Sequence, residues 1–130
     1  MSDNPILYTL DNQVATLRLN RPDRLNALTQ DLLADLRGGL QRAVDEGARS
    51  VLLTGEGRAF CSGAELGAFG SKAPDLGELL ETSYHPVVEL MAALPIPIVS
   101  AINGPAAGAG ASLALSGDIV VMARSAYLLL

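Results

Sequence analysis

Several residue types that mark common protein classes are scarce in this sequence. Its 130 residues include one cysteine, Cys61, no tryptophan and only 4% aromatic residues. A single cysteine excludes an internal disulfide framework and a metal site built from several thiolates. With so few aromatic rings, the core has to come from the aliphatic residues within the 49% apolar content. That composition favours helices packed on buried strands.

Positive charge and long apolar runs are also scarce. Nine Lys and Arg residues stand against fourteen Asp and Glu residues, a formal net charge of −5, which argues against a general nucleic-acid-binding surface. No run approaches the roughly 18 apolar residues that a membrane-spanning helix needs, and no signal peptide is visible. We therefore expect a soluble, cytoplasmic protein without nucleic-acid or membrane partners. The single histidine, His85, has no ligand partner at metal spacing, so no metal site is predicted.

The periodicity of apolar residues predicts a single α/β domain over residues 1–130. A turn at Asp11–Gln13 is expected to join two strands, and a helix is expected to begin near Thr29 and to end at Gly47. A second helix, or a pair of helices, is expected over Leu76–Leu94 with a break near Pro86. The predicted strands are Ile6–Leu10, Val14–Leu19, Ser50–Thr54, Ile98–Ile102, Asp118–Ala123 and Tyr127–Leu130, and a short helix is predicted over Gly108–Ser116.

Two further expectations concern the arrangement of these elements. The strands Ser50–Thr54 and Ile98–Ile102 are short apolar runs flanked by helices, so we expect them to be buried neighbours in one sheet. The stretch Leu66–Gly77 contains Gly, Ser, Lys and Pro without any period. It is expected to form a mobile surface loop.

Two segments combine the end of a strand, small residues and the start of a helix. The first is Arg58–Leu66, with the small residues Cys61–Ala64 at its centre; the second is Ile98–Ser112, with Gly108–Gly110 before the helix. Small side chains let a ligand approach the backbone, and the first N–H groups of a helix have no intrahelical acceptor. Two such sets of donors facing one point would form an oxyanion hole. A tight turn with close packing explains either segment alone equally well, and only their joint occurrence favours a site.

Three blocks, in this order, resemble the signature blocks of the crotonase (enoyl-CoA hydratase/isomerase) superfamily. They are Asn20-Arg21-Pro22 with Asn26-Ala27-Leu28, then Arg58–Leu66, then Pro97–Gly104 with Gly108-Ala109-Gly110. The resemblance implies a crotonase-like spiral of ββα units (the ClpP/crotonase type) that holds a bent acyl-CoA thioester. It also implies that two backbone N–H groups, here those of Ala64 and Ala109, hold the thioester oxygen.

The resemblance implies further contacts and properties. The residues expected to contact the CoA moiety are Arg24, Leu25, Ala27, Ala64, Glu65 and Leu66. Arg24 would meet a CoA phosphate or remain a solvated loop charge. CoA is part of the substrate, so no separate cofactor is expected. The chain resembles the N-terminal part of such proteins, apparently truncated, and the full-length parent is expected to form a homotrimer or hexamer.

The sequence departs from the hydratases of this superfamily at one position. The resemblance implies a Glu shortly after the second oxyanion residue, where this chain has Ser112, and a second acid that would lie beyond Leu130. The runs Thr82–Pro86 and Ala106–Ala111 resemble the ring-1,2-epoxyphenylacetyl-CoA isomerases of phenylacetate breakdown, which also lack the first Glu. We therefore expect isomerase-type chemistry that stabilises an enolate. The alternatives are a 2-enoyl-CoA hydratase of fatty-acid β-oxidation and a non-catalytic acyl-CoA-binding fragment.

Four other side chains near this region are given roles outside the chemistry. Cys61 is interpreted as a small packing residue rather than a nucleophile, and His85 as a surface or capping residue. Glu65 is interpreted as a charge in the first turn of a helix, where the helix dipole favours it. Ser112 is interpreted as a residue of helix packing, because a hydroxyl without an activating base is a poor base near pH 7.

Overall fold

The computed structural model describes residues 4–65 and 80–130. Two antiparallel strands precede a long helix, after which strands and helices alternate. The elements are β1 (Ile6–Asp11), β2 (Val14–Leu19), a 3-10 turn (Pro22–Arg24), α1 (Gln30–Asp45), β3 (Ser50–Gly55), a π-helical turn (Leu80–Tyr84), α2 (His85–Ala93), β4 (Ile98–Ile102), β5 (Ala106–Ala107), α3 (Ala109–Ala114), β6 (Ile119–Met122) and β7 (Leu128–Leu129). This order confirms the predicted α/β class.

The sheet that carries most of the fold has five strands in the order β1-β2-β3-β4-β6. β1 runs antiparallel to β2, and the other neighbours are parallel. The hairpin turn uses Asn12 and Gln13 at φ 49° and 66°, the left-handed pair that suits the twist of a two-residue hairpin. β3 pairs with β4, which confirms that these strands are neighbours. β5 and β7 form a separate parallel pair.

The core lies between α1 and the sheet. Thr29 begins the helix, since its side-chain oxygen accepts a hydrogen bond from the Leu32 N–H at 3.1 Å and so satisfies one of the free first-turn donors. One face of α1 is then fully apolar, with buried Leu32, Leu33, Leu36, Leu40 and Ala43. Burial of one Leu side chain contributes roughly 1.5–3 kcal/mol, so this face fixes the helix on the sheet. The helix ends at Asp45, two residues before the predicted end.

The segment predicted to be helical over Leu76–Leu94 differs from a simple broken helix. Its described part begins with the π-helical turn Leu80–Tyr84, which continues directly into α2. Pro86 lies in the first turn of α2, where a proline costs no intrahelical hydrogen bond. The discontinuity near Pro86 is therefore a change of helical pitch. The predicted loop Leu66–Gly77 lies outside the described residues.

The C-terminal elements are shorter than predicted, and they leave apolar residues uncovered. The predicted helix Gly108–Ser116 is reduced to α3, and the predicted strand Tyr127–Leu130 is reduced to β7. β6 is an edge strand whose four residues are all exposed, from 40% for Met122 to 55% for Ile119. Within residues 4–65 and 80–130, no helix is long and apolar enough to cross a membrane.

Candidate functional site

The two segments predicted to form a site lie side by side. Cys61 and Ala106 form a parallel bridge, in which the Ala107 N–H donates to the Cys61 carbonyl oxygen at 3.0 Å. Gly110 packs directly on the same carbonyl, because a Cβ at that position would collide with the Cys61 oxygen. The sequence therefore places small residues where the backbones of two distant segments touch.

The direction of the Ala64 N–H is fixed by the peptide that it shares with Gly63. The Gly63 carbonyl accepts from the Leu28 N–H at 2.8 Å, and the Leu28 carbonyl accepts from the Glu65 N–H at 3.0 Å. In a trans peptide the N–H points opposite to the carbonyl, so the Ala64 N–H points away from Leu28. Among the described residues it has no acceptor. A Cβ on Gly63 would lie 3.9 Å from the Ala109 nitrogen, so the second predicted donor is close.

The Ala109 N–H is fixed in the same way by Gly108. Gly108 has φ 56° and ψ −127°, a conformation that only glycine adopts without strain. Its carbonyl accepts from the N–H groups of Ala111 at 3.0 Å and Ser112 at 3.2 Å, so the Ala109 N–H points out of the start of α3. It also lacks an acceptor within the described part of the chain. The structure thus brings together both predicted donors, and their role in catalysis stays a prediction.

Two asparagines that sequence reasoning left without a role hold the first segment in place. Asn26 is fully buried, and its Nδ2 donates to the carbonyls of Glu56 and Ala59, both at 3.0 Å. Asn103 Nδ2 donates to the carbonyls of Gly57 at 3.0 Å and of Ala59 at 3.2 Å. The Ala59 carbonyl therefore accepts from both side chains. The signal available in the sequence was the presence of each amide inside a signature block.

Two of the residues predicted to contact CoA, Arg24 and Leu25, lie on the turn before α1. Arg24 is exposed at the end of the 3-10 turn, and Leu25 follows in a left-handed conformation with φ 53°. The Leu25 carbonyl accepts from the Ser62 N–H at 3.0 Å, so this turn is bonded to the first segment. The exposed guanidinium of Arg24 is compatible with either predicted role, a phosphate contact or a solvated charge.

Two more of the predicted CoA contacts, Ala27 and Glu65, are joined through Arg21. Ala27 is buried, and its carbonyl accepts from Arg21 Nη1 at 2.7 Å. Glu65 is half-buried and forms an ion pair with Arg21 at 3.1 Å, a partner that sequence reasoning missed when it treated Glu65 as a first-turn helix charge. Leu66 lies outside the described residues.

A cleft of about 620 Å³ lies beside this ion pair and is lined by Arg21, Arg24 and Glu65 together with polar residues of α1. Neither Ala64 nor Ala109 lines it. The cleft reaches Glu65, which follows Ala64, and the proposed site is defined by the N–H groups rather than by this cleft.

Tyr84 contacts the second segment from the π-helical turn. Its hydroxyl donates to the Ala109 carbonyl at 2.9 Å. Burial raises the pKa of Tyr84 to about 12, although the neighbouring Ser112 hydroxyl acts in the opposite direction. Ser112 is exposed, yet its hydroxyl lies beside that of the buried Tyr84, so it contacts the π-helical turn from α3.

Cys61 and His85 have the environments of non-catalytic residues. Cys61 is fully buried, and burial raises the pKa of its thiol to about 12 against the effect of the Gly63 N–H. A buried, protonated thiol is a poor nucleophile, in agreement with a packing role. His85 is exposed at the start of α2 and packs beside the Tyr84 ring, with the ring centroids 6.3 Å apart. Within the described ranges, no group of three or more His, Cys, Asp or Glu residues is placed to hold a metal.

The sequence profile of the family described as "Enoyl-CoA hydratase/isomerase" matches residues 9–130. The chain belongs to this family. It is 48% identical over 126 residues to the 1,2-epoxyphenylacetyl-CoA isomerase of Escherichia coli K12, covering 93% of this chain and 48% of that protein. It is 42% identical to a probable enoyl-CoA hydratase of Rhodobacter capsulatus, covering 97% of this chain and 49% of that protein.

Solved structures of family members share the fold. The enoyl-CoA hydratase of Mycobacterium smegmatis superposes with a TM-score of 0.88 at 32% identity, covering 97% of this chain and 50% of that one. An enoyl-CoA hydratase/isomerase of Mycobacterium paratuberculosis gives a TM-score of 0.84 at 38% identity, covering 97% of this chain and 52% of that one. These similarities confirm the predicted crotonase fold. The chain spans about half the length of these enoyl-CoA hydratase/isomerase relatives.

Proposed function

We propose that this chain supplies the part of an acyl-CoA-processing site that binds the thioester and stabilises its enolate. The N–H groups of Ala64 and Ala109 donate to the thioester oxygen in this proposal. The observation that carries it is the geometry of these two peptides, which lie on adjacent segments and point their N–H groups away from the bonds that hold them. The family membership of the chain provides the substrate class.

Backbone donors suit this chemistry for a physical reason. Removal of a proton alpha to a thioester, or addition of water to an enoyl thioester, places negative charge on the thioester oxygen. Donors that are already oriented stabilise that charge without reorganising, and loss of one typically costs about 2.7–4 kcal/mol of barrier. The side chain at a backbone donor only has to leave room, which explains why alanine is sufficient at both positions.

The reaction proposed for the parent enzyme is of the isomerase type. Near the two donors, the described residues offer hydroxyls rather than a free carboxylate: Ser112 is an exposed alcohol, and the pKa of Tyr84 is raised to about 12. Neither group is a good base near neutral pH. The relative from Escherichia coli, named as an isomerase, supports this assignment. The group that transfers the proton is then supplied by another part of the parent protein.

A 2-enoyl-CoA hydratase is the second candidate. The similarity to the probable enoyl-CoA hydratase of Rhodobacter capsulatus favours it, at 42% identity. Crotonyl-CoA incubated with the parent enzyme and followed by the absorbance of its enoyl thioester separates the two, because hydration removes the conjugated double bond. We expect the 130-residue chain alone to give no appreciable turnover, since proton transfer typically contributes about 10²- to 10⁴-fold to the rate. Without catalysis, the chain is the acyl-CoA-binding fragment of the third alternative.

Ligand binding tests the proposal directly. Calorimetry with acetyl-CoA, octanoyl-CoA and phenylacetyl-CoA should show binding, and the amide resonances of Ala64 and Ala109 should shift with each thioester. Free CoA, which lacks the thioester carbonyl, is the matched control ligand and should leave both amides in place. Equal amide shifts with free CoA, or no binding of any thioester, would contradict the proposed oxyanion site.

A further inference from the structure

A half-buried ion pair joins the loop before α1 to the segment that carries Ala64. Arg21 Nη2 lies 3.1 Å from Oε1 and 3.3 Å from Oε2 of Glu65, and Nη1 of the same guanidinium donates to the Ala27 carbonyl at 2.7 Å. The side chains of Arg21 and Glu65 are only 21% and 26% exposed. Because a guanidinium is planar and its donors are fixed relative to each other, it sets the distance between the Ala27 carbonyl and the Glu65 carboxylate.

This ion pair differs from the other two in the described part of the chain. Arg42 and Glu46 lie one turn apart on the same stretch of chain, and both are exposed at the surface, where they contact Tyr8 of β1. Arg18 and Glu56 are 3.8 Å apart and about half exposed, and exposed pairs of this kind contribute little to stability. The Arg21–Glu65 pair is more buried than either of them, is shorter than the Arg18–Glu56 pair, and joins residues that are 44 positions apart.

The backbone of Arg21 is itself held on a rigid turn. Its N–H donates to Asn26 Oδ1 at 2.7 Å, and its carbonyl accepts from the N–H groups of Arg24 and Asn26, both at 2.9 Å. The buried Asn26 is in turn bonded to the segment after β3. The guanidinium therefore extends from a fixed base and can hold a second group in a defined position.

The position of the guanidinium relates it to the Ala64 N–H. Ala27 precedes Leu28 and Glu65 follows Ala64, so Arg21 contacts the residues that flank the short parallel bridge between Leu28 and Ala64, one on each segment. That bridge holds the Gly63 carbonyl and thereby sets the direction of the Ala64 N–H. Both oxygens of the Glu65 carboxylate face the guanidinium, an arrangement that suits a structural contact better than proton transfer.

We propose that Arg21 and Glu65 are positioning residues whose ion pair sets the orientation of the Ala64 N–H for the thioester oxygen. The inference rests on the proposed function for the role of that N–H. The pair acts through the backbone: it keeps Ala27 and Glu65 in register, and the register keeps the Gly63–Ala64 peptide turned towards the ligand.

The first test needs no ligand and uses the whole 130-residue chain. The variants are Arg21→Gln and Glu65→Gln, and Arg18→Gln is the matched control, because it removes the same charge from an exposed ion pair. In Arg21→Gln the amides of Leu28 and Glu65, which bond across the bridge, should exchange with solvent roughly tenfold faster or more. Glu65→Gln retains an amide oxygen that can accept from Arg21, so its effect should be smaller but in the same direction. In Arg18→Gln these rates should change by less than about twofold.

The same samples report on Ala64 itself. The amide resonance of Ala64 should shift in Arg21→Gln and in Glu65→Gln, here called the bridge variants, and it should stay in place in Arg18→Gln. Unchanged exchange at Leu28 and Glu65, or an unchanged Ala64 resonance in Arg21→Gln, would overturn the proposal. Because Glu65→Gln preserves the Arg21–Ala27 hydrogen bond, it provides a second reading if Arg21→Gln does not fold.

The second test separates this inference from the proposed function. Cinnamoyl-CoA is a conjugated thioester whose absorption moves to longer wavelength when donors polarise its carbonyl. Wild-type chain should produce that shift, both bridge variants should reduce it, and Arg18→Gln should retain it. A wild-type chain that neither binds nor shifts cinnamoyl-CoA contradicts the proposed function, while the amide measurements still decide whether the ion pair orients Ala64. Faster exchange with a full spectral shift in the variants would show a purely structural role and overturn the positioning assignment.

Discussion

Replacement of Ala109 by proline removes one proposed donor without removing a hydrogen bond from the protein itself. The Ala109 N–H has no acceptor among the described residues and belongs to the first residue of α3. Proline is well tolerated at that position, because its fixed φ suits a helix start and its missing N–H is not used there. The Ala109 carbonyl remains available to the Tyr84 hydroxyl, which donates to it at 2.9 Å. Ala109→Gly retains the N–H and is the matched control.

The expected magnitude depends on the charge that the donor meets. A neutral thioester in the ground state forms an ordinary hydrogen bond, whose net contribution is about 0.5–1.5 kcal/mol. Ala109→Pro should therefore raise the dissociation constant for phenylacetyl-CoA by roughly 2- to 12-fold. In a parent enzyme that turns over, the same change should lower kcat by about 10²- to 10³-fold, because the oxygen is then negatively charged in the transition state.

The assay is calorimetric titration of wild-type chain, Ala109→Pro and Ala109→Gly with phenylacetyl-CoA. A urea unfolding curve for each protein establishes that the compared samples are folded to the same extent. Ala109→Gly should bind within about twofold of wild type, as it changes only a methyl group. If Ala109→Pro is folded and binds as tightly as Ala109→Gly, the Ala109 N–H does not contact the thioester and the reasoning is refuted.

Three further changes test how the backbone around the site is held. Gly110→Ala should lower the free energy of unfolding by about 1–3 kcal/mol, because its Cβ would collide with a backbone carbonyl. Gly38→Ala is the control: its Cβ meets nothing within 4 Å, so it should raise the free energy of unfolding by up to about 1 kcal/mol. Urea unfolding measures both variants, and equal effects would contradict the close packing at Gly110. Asn26→Ala should cost about 2–4 kcal/mol in the same experiment, since it removes the side-chain partner of the Arg21 N–H and of the Glu56 carbonyl. A loss below about 0.5 kcal/mol would show that solvent replaces the amide. The pKa of Tyr84 is raised to about 12 from 10.0, so the folded state holds its proton more tightly than the unfolded state. That stability is complete below pH 10 and is lost as the pH rises towards 12; Tyr84→Phe should flatten the decline, and an unchanged pH dependence would contradict the burial of this hydroxyl.

The sequence by itself determined the elements and their approximate order. The alternation in Val14–Leu19 and the helical spacing from Leu32 to Ala43 record which side of each element meets the core, and that information is local. Small residues around Cys61 and Gly110 also gave a local signal, because two backbones can approach only where no Cβ intervenes. The neighbouring positions of β3 and β4 followed from the same patterns, and the pairing in the structure confirms them.

The tertiary structure decided which side chains hold the site. The partners of Asn26 lie 30 and 33 positions away, and the partner of Arg21 lies 44 positions away. Tyr84 donates to the Ala109 carbonyl, 25 positions away, from a π-helical turn that the spacing of apolar residues does not predict. Such partners depend on the register between distant segments, and periodicity does not encode register. For the same reason Glu65 reads as an isolated helix charge in the sequence, whereas in the folded chain it is bound to Arg21 beside the predicted donor.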